Sequence, residues 1–135
     1  ASRKVHMAHS LDLSQTFVHL ANSGHAEPVE ITPSFWRESS SSALYDRLVG
    51  TFDFNSSQDL HSSMQEMHPE ADELLFLVSG AIDVLLEEAH SERTISLAAG
   101  QAAIVPRGVW HRLVMHKPGK LLFVNSRTGM QSRDA

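Results

Sequence analysis

The chain has 135 residues, 41% of them hydrophobic and 20% charged, with a formal net charge of −5. That length suffices for one self-supporting core, and the eleven basic residues are scattered, so no footprint for nucleic acid or an anionic membrane is present. Cysteine is absent, which excludes disulfides, thiolate metal sites and cysteine nucleophiles and fits a reducing, cytoplasmic compartment.

Residues 1–6 precede Met7 and resemble a cloning remnant ahead of a native initiator, so residues 7–135 are expected to form a single domain. No signal-peptide core opens the chain, and the longest apolar run, residues 74–78, is far too short to span a bilayer. Residues 16–20 alternate as a short first strand, residues 22–24 turn, and residues 29–32 read as a strand closed by Pro33. Residues 35–37 open a helical turn, and the serine run at 38–42 is an unpatterned loop. Residues 45–54 are β-compatible but broken at Gly50, as in a strand pair or a bulged strand, and residues 55–59 carry turn chemistry.

The second half is more regular. Residues 73–78 form an apolar run ended by Ser79-Gly80, and residues 81–87 alternate through Ile82, Val84 and Leu86. A polar turn at 89–93 makes this segment a hairpin with residues 94–97. Residues 101–105 form a strand stopped by Pro106, residues 109–116 alternate, residues 117–120 turn, and residues 121–125 close the set, with a fraying tail after Arg127. Short strands punctuated by glycine and proline, with no long helical period, predict an all-β sandwich or barrel.

The chemistry is concentrated in two segments, 66–80 and 100–115. Glu66 and His68 share one strand face, Glu73 opens the next strand, and a Pro-x-Gly turn at 106–108 delivers His111. Two imidazoles and a carboxylate form a facial set for one divalent ion with open positions, suited to iron, manganese, zinc or nickel. Glu66 is the candidate fourth ligand, with a role as base or hydrogen-bond acceptor as its alternative. Alternation places Leu75, Leu77, Val109 and Leu113 on the site face and Met115 on the His111 face, as an apolar pocket lining. Trp110 faces away, Phe76 is assigned to the core, and His61 and His116 are assigned no ligand role.

These segments resemble the paired motifs of the cupin superfamily. His68, the four-residue gap to Glu73, the six-residue gap to Gly80, and the Gly100, Pro106, Gly108, His111 series fit the family spacing. Leu60 stands where the first motif has its leading glycine, Glu66 where it has its first histidine, and Met115 where the second motif has its asparagine. The resemblance implies a double-stranded β-helix, or jelly-roll barrel, of the RmlC-like type. It implies a small metal-binding protein, assembled as a homodimer, acting on a small organic molecule by oxygenase, isomerase or decarboxylase-type chemistry. Two other readings remain open: a non-catalytic module that binds or senses a small ligand, and a metal-free sugar isomerase or epimerase. The last requires a histidine and tyrosine pair, and Tyr45 is the one tyrosine in the chain.

Overall fold

The computed structural model describes residues 9–36 and 46–135, which are almost wholly extended. In chain order the strands are β1 (Thr16–Leu20), β2 (Ala26–Glu30), β3 (Arg47–Phe54), β4 (Met64–Met67), β5 (Glu73–Glu88), β6 (Ser91–Ala98), β7 (Ala102–Val105), β8 (His111–Asn125) and β9 (Gln131–Asp134). A 3-10 turn, Ser57–Leu60, precedes β4 and is capped by Ser56, whose side chain accepts from the Asp59 amide. The leader at 1–6, the serine run at 38–42 and Tyr45 lie outside the described residues.

Two long strands are shared between two antiparallel sheets. The first half of β5 lies between β7 and the second half of β8, and that sheet continues through β3 and β1 to β2. The second half of β5 lies between β6 and the first half of β8, and that sheet continues through β4 to β9. Alternation buries Leu75, Leu77, Ile82, Val84 and Leu86 from β5 against Leu121 and Phe123 from β8. This all-β arrangement is the jelly roll that the sequence led us to expect.

The turn signals at Ser79-Gly80 and residues 117–120 are bends within continuous strands, not strand ends. The register of β5 on β8 shifts between Leu77 and Ala81. Gly80 has φ +90°, and a Cβ there would stand 2.7 Å from the Lys117 carbonyl oxygen, while one on Gly119 would overlap the Ser79 carbonyl. Only glycines let these backbones pass so closely, and the resulting irregularity turns both strands from one sheet into the other. Gly50 also leaves its strand unbroken. The Phe17 ring and Phe123 Cζ, the latter 2.9 Å from an ideal Cβ, occupy the space a side chain would need.

The tail beyond Arg127 is ordered as β9, paired with β4 from Met64↔Asp134 to Met67↔Gln131. Arg133 on this strand donates to Gln65 Oε1 at 2.8 Å and stacks over Trp110 at 4.1 Å, which accounts for the outward-facing tryptophan. Phe76 is half-buried, not core. It lies on the outer face, where Val18, Val49, Val124, Leu74 and Ile104 form one aliphatic row in register across five strands. Among the described residues no helix is long and apolar enough to cross a membrane.

Candidate metal centre

Three strand ends assemble the predicted cluster. His68 immediately follows β4, Glu73 is the first residue of β5, and His111 is the first residue of β8. The turn between Pro106 and Gly108 is tied directly to the loop before Glu73. The Gly108 amide donates to the His68 carbonyl at 2.9 Å, and the Arg107 amide donates to Asp72 Oδ1 at 2.9 Å. Asp72 therefore fastens one half of the signature to the other.

All three side chains are buried, with exposures of 3% for His68, 5% for Glu73 and 4% for His111. Their ligand atoms lie within 4.8 Å of one another. His111 Nε2 is 3.0 Å from Glu73 Oε1, and His68 Nε2 is 3.5 Å from Glu73 Oε2. Each imidazole spends its other nitrogen on a backbone carbonyl: His68 Nδ1 donates to Ser126 at 2.9 Å and His111 Nδ1 to Val109 at 3.2 Å. A carbonyl can only accept, so these bonds place a proton on Nδ1 and aim both Nε2 atoms at the carboxylate.

His68 Nε2 is buried and has no hydrogen-bond partner. A buried nitrogen without a partner carries a desolvation cost of about 1–3 kcal/mol. Its neighbours are a second imidazole and a carboxylate, which is the donor set a divalent ion requires, so the residues fit a metal.

The electrostatics agree. Burial alone would raise the Glu73 pKa, but the His111 hydrogen bond, both imidazoles and the Asn125 amide outweigh it and hold it below its ordinary value. Burial would lower His111, yet the Glu73 carboxylate outweighs that, with help from the Val109 carbonyl and Glu66, and the pKa is raised. Glu73 is therefore held as an anion, the form in which a carboxylate ligates a metal.

Of the other predicted residues, Glu66 stands opposite His111 in the β4–β8 register and lines the adjoining cavity. It falls outside the three-residue group of mutually close ligand atoms. Leu75 and Leu113 line the cavity, of about 510 Å3. Leu77 is instead sealed in the core at 0% exposure, and Val109 and Met115 pack half-buried against that core. His61, assigned no part, also lines the cavity, whereas His116 pairs with Asp83 at 2.7 Å.

Asn125, Arg127 and Trp36 are among the cavity residues that the sequence does not single out. Asn125 donates to Glu73 Oε2 at 2.7 Å and so orients the carboxylate. Arg127 is 5% exposed, donates from Nη2 to the Trp36 carbonyl at 3.0 Å and lies over the Trp36 ring at 5.0 Å. Burial lowers its pKa, while the fields of Glu66 and Glu73 oppose that shift. Trp36 forms part of the same wall.

Residues 59–125 match the family described as Cupin domain (Cupin_2). Among solved structures, recombinant oxalate oxidase in complex with glycolate aligns with a TM-score of 0.50 at 19% identity, over 64% of this chain and 45% of that one. CoII HppE in complex with substrate aligns with a TM-score of 0.49 at 22% identity, over 59% of this chain and 44% of that one. A cupin-2 domain containing protein from Shewanella frigidimarina aligns with a TM-score of 0.46 at 17% identity, over 63% of this chain and 74% of that one. The chain thus spans less than half the length of the first two, and at such identities the likeness concerns the fold. No curated protein matches the sequence.

Proposed function

Because this chain belongs to the cupin superfamily, on the match at residues 59–125, we propose that it binds one divalent metal ion through His68, Glu73 and His111 and acts on a small organic molecule in the adjoining cavity. The observation that carries this reading is the buried His68 Nε2, which has no partner and faces the Glu73 carboxylate beside a second imidazole. A divalent ion bound there supplies Lewis-acid polarisation of a substrate oxygen, and iron(II) supplies redox chemistry as well.

The chain's own residues do the positioning. The Ser126 and Val109 carbonyls fix the imidazole tautomers, and Asn125 holds the Glu73 carboxylate in place. Leu75, Leu113, Leu121 and Phe123 supply apolar lining beside the polar and charged groups of the cavity, the mixture usual for a small-molecule site. Glu66, on the same cavity wall, serves either as a further ligand or as a proton acceptor near the substrate. Glu66→Gln separates these roles: a ligand's loss lowers metal affinity, while a proton acceptor's loss lowers turnover alone.

Elemental analysis of protein purified without chelators tests the reading. The expected result is about one metal per chain, as for a single closed donor set, with uptake lost in His68→Ala and His111→Ala. Iron would favour an oxygenase, and zinc, manganese or nickel an isomerase or decarboxylase-type reaction. No divalent uptake by the wild type, or unchanged uptake by both variants, would overturn it.

Further support exists for two expectations about assembly. The strands from Thr16 to Asp134 join one pairing network, which supports reading residues 7–135 as a single domain. The aliphatic row ending at Ile104, itself 65% exposed, supports a homodimer formed through the outer face of that sheet. Light scattering on a sizing column checks it, and a monomer mass at micromolar concentration would reject it.

A further inference from the structure

Behind the metal centre, on the face of the sheet turned away from the cavity, four elements meet at one side chain. Arg133 on β9 stands opposite Gln65 on β4 in the strand register and donates from Nε to its Oε1 at 2.8 Å. The same guanidinium pairs through Nη2 with Glu87 Oε2, near the end of β5, and lies 4.1 Å over the Trp110 ring. Gln65 Nε2 also donates to Glu87 Oε2 at 3.3 Å, which closes the network.

Two of these partners are chain neighbours of site residues. Gln65 precedes Glu66 and Trp110 precedes His111, and Glu66 and His111 form the one register pair by which β4 meets β8. Successive strand residues point to opposite faces, so Gln65 backs Glu66 from the far side of the sheet. Backbone pairing holds β4 mostly from the β9 side, at four positions from Met64↔Asp134 to Met67↔Gln131. β9 brings no apolar side chain and all four of its side chains are exposed, so hydrophobic burial does not secure it. Arg133 ties it to β4, β5 and the entry to β8 at once. Exposed ion pairs add little stability singly, yet a planar fork held by an amide, a carboxylate and an indole fixes orientation well.

Resting on the metal-centre reading above, we infer that Arg133 is a positioning residue for that centre. By clamping β9, β4 and Trp110 together behind the sheet, it sets His111 and the end of β4, which leads into His68, against Glu73.

Competition of zinc against a coloured chelator, with a melt of the metal-free protein beside it, tests this in Arg133→Met and Arg133→Lys. Methionine keeps an apolar stem over Trp110 and loses every polar tie. Its zinc affinity is expected to fall at least about fivefold, just short of the range for residues that bond a ligand directly, because Arg133 acts through the backbone. Lysine keeps the charge near Glu87 and loses the fork, so part of the affinity returns. A brace that serves stability alone would lower the melt and leave zinc affinity within that fivefold limit in Arg133→Met, and this result overturns the inference. Where Arg133→Met does not fold, Arg133→Lys decides, and an affinity equal to the wild type overturns it.

Hydrogen exchange of the metal-free protein separates this inference from the metal-centre reading. In Arg133→Met the amides of residues 64–67 and 109–112 are expected to exchange faster through local opening, while those of Val84 and Leu121 keep their wild-type rates. Unchanged rates at 64–67 and 109–112, or an equal increase everywhere, would sink the clamp. Failed zinc uptake by the wild type counts against the metal centre, and the exchange rates then still judge Arg133.

Discussion

Asn125→Leu removes the amide that donates to Glu73 Oε2 at 2.7 Å while keeping the volume of a buried side chain. The orientation of this amide is dictated by chemistry, because a carboxylate oxygen requires the Nδ2 side as its donor. Its Oδ1 then points into a buried position with no partner. Leucine therefore loses a charge-assisted bond of about 1.5–3 kcal/mol and also removes an orphan acceptor whose burial costs about 1–3 kcal/mol. These terms nearly offset, so the metal-free variant is expected to melt close to the wild type. Metal binding has no such offset. Freeing Oε2 from its holder costs about 10–100-fold in affinity, the range typical of residues that orient a ligand, and the energy of the lost bond converts to a similar factor. Competition of zinc against a coloured chelator, with a thermal melt of the metal-free form beside it, measures both. Zinc affinity within about twofold of the wild type, well short of that range, would refute the orienting role.

Two more predictions follow from the site and the core. The raised His111 pKa means that the ion must displace a proton from Nε2, so metal affinity should climb with pH and level off only above that pKa, which itself exceeds the ordinary 6.5. In the metal-free protein the same shift has the opposite sense: its stabilising contribution is complete below the unfolded value and disappears as pH rises through the folded one. The depressed Glu73 pKa acts at the acid end, where its contribution is lost as pH falls below its ordinary 4.5 and through the folded value. Chelator competition and melts across pH check both senses, and a metal affinity independent of pH would contradict the pairing. Gly50→Ala drives a methyl into the Phe17 ring and to 2.9 Å from Phe123, so it should lower stability by about 1–3 kcal/mol in a denaturant titration.

The three cluster residues were legible because their spacing sets them at strand ends, and strand ends are marked by proline and glycine. The pocket lining was only half legible. Alternation fixes which residues of one strand share a face, and Leu75 and Glu73, grouped in this way, both line the cavity. It does not reveal that β5 bends past Leu77, so that Leu77 passes into the closed core while Leu75 stays at the cavity. The same bends explain why two turn signals do not mark strand ends: glycine is required there for the close crossing of two backbones. Strand β9 had no signal to offer, since all four of its side chains are exposed and none is apolar. Arg127 and Asn125 belong to no local pattern; the fold alone brings them to the cavity.

The ties that position the donors are independent of any ion. The Gly108 amide holds the His68 carbonyl, Asp72 holds the Arg107 amide, and the Ser126 and Val109 carbonyls hold the two imidazoles. Beneath them, a core that includes Leu48, Leu77, Ile82 and Val84 is sealed without reference to the cluster. A site of this kind differs from a zinc finger, where folding waits for the metal. Here the backbone places the donors first, and the unpartnered His68 Nε2 aimed at Glu73 would be relieved by an ion that enters between them. Preorganisation of that kind concentrates the free energy of metal binding in the site itself. It also leaves the adjoining cavity open to the molecule on which the proposed metal would act.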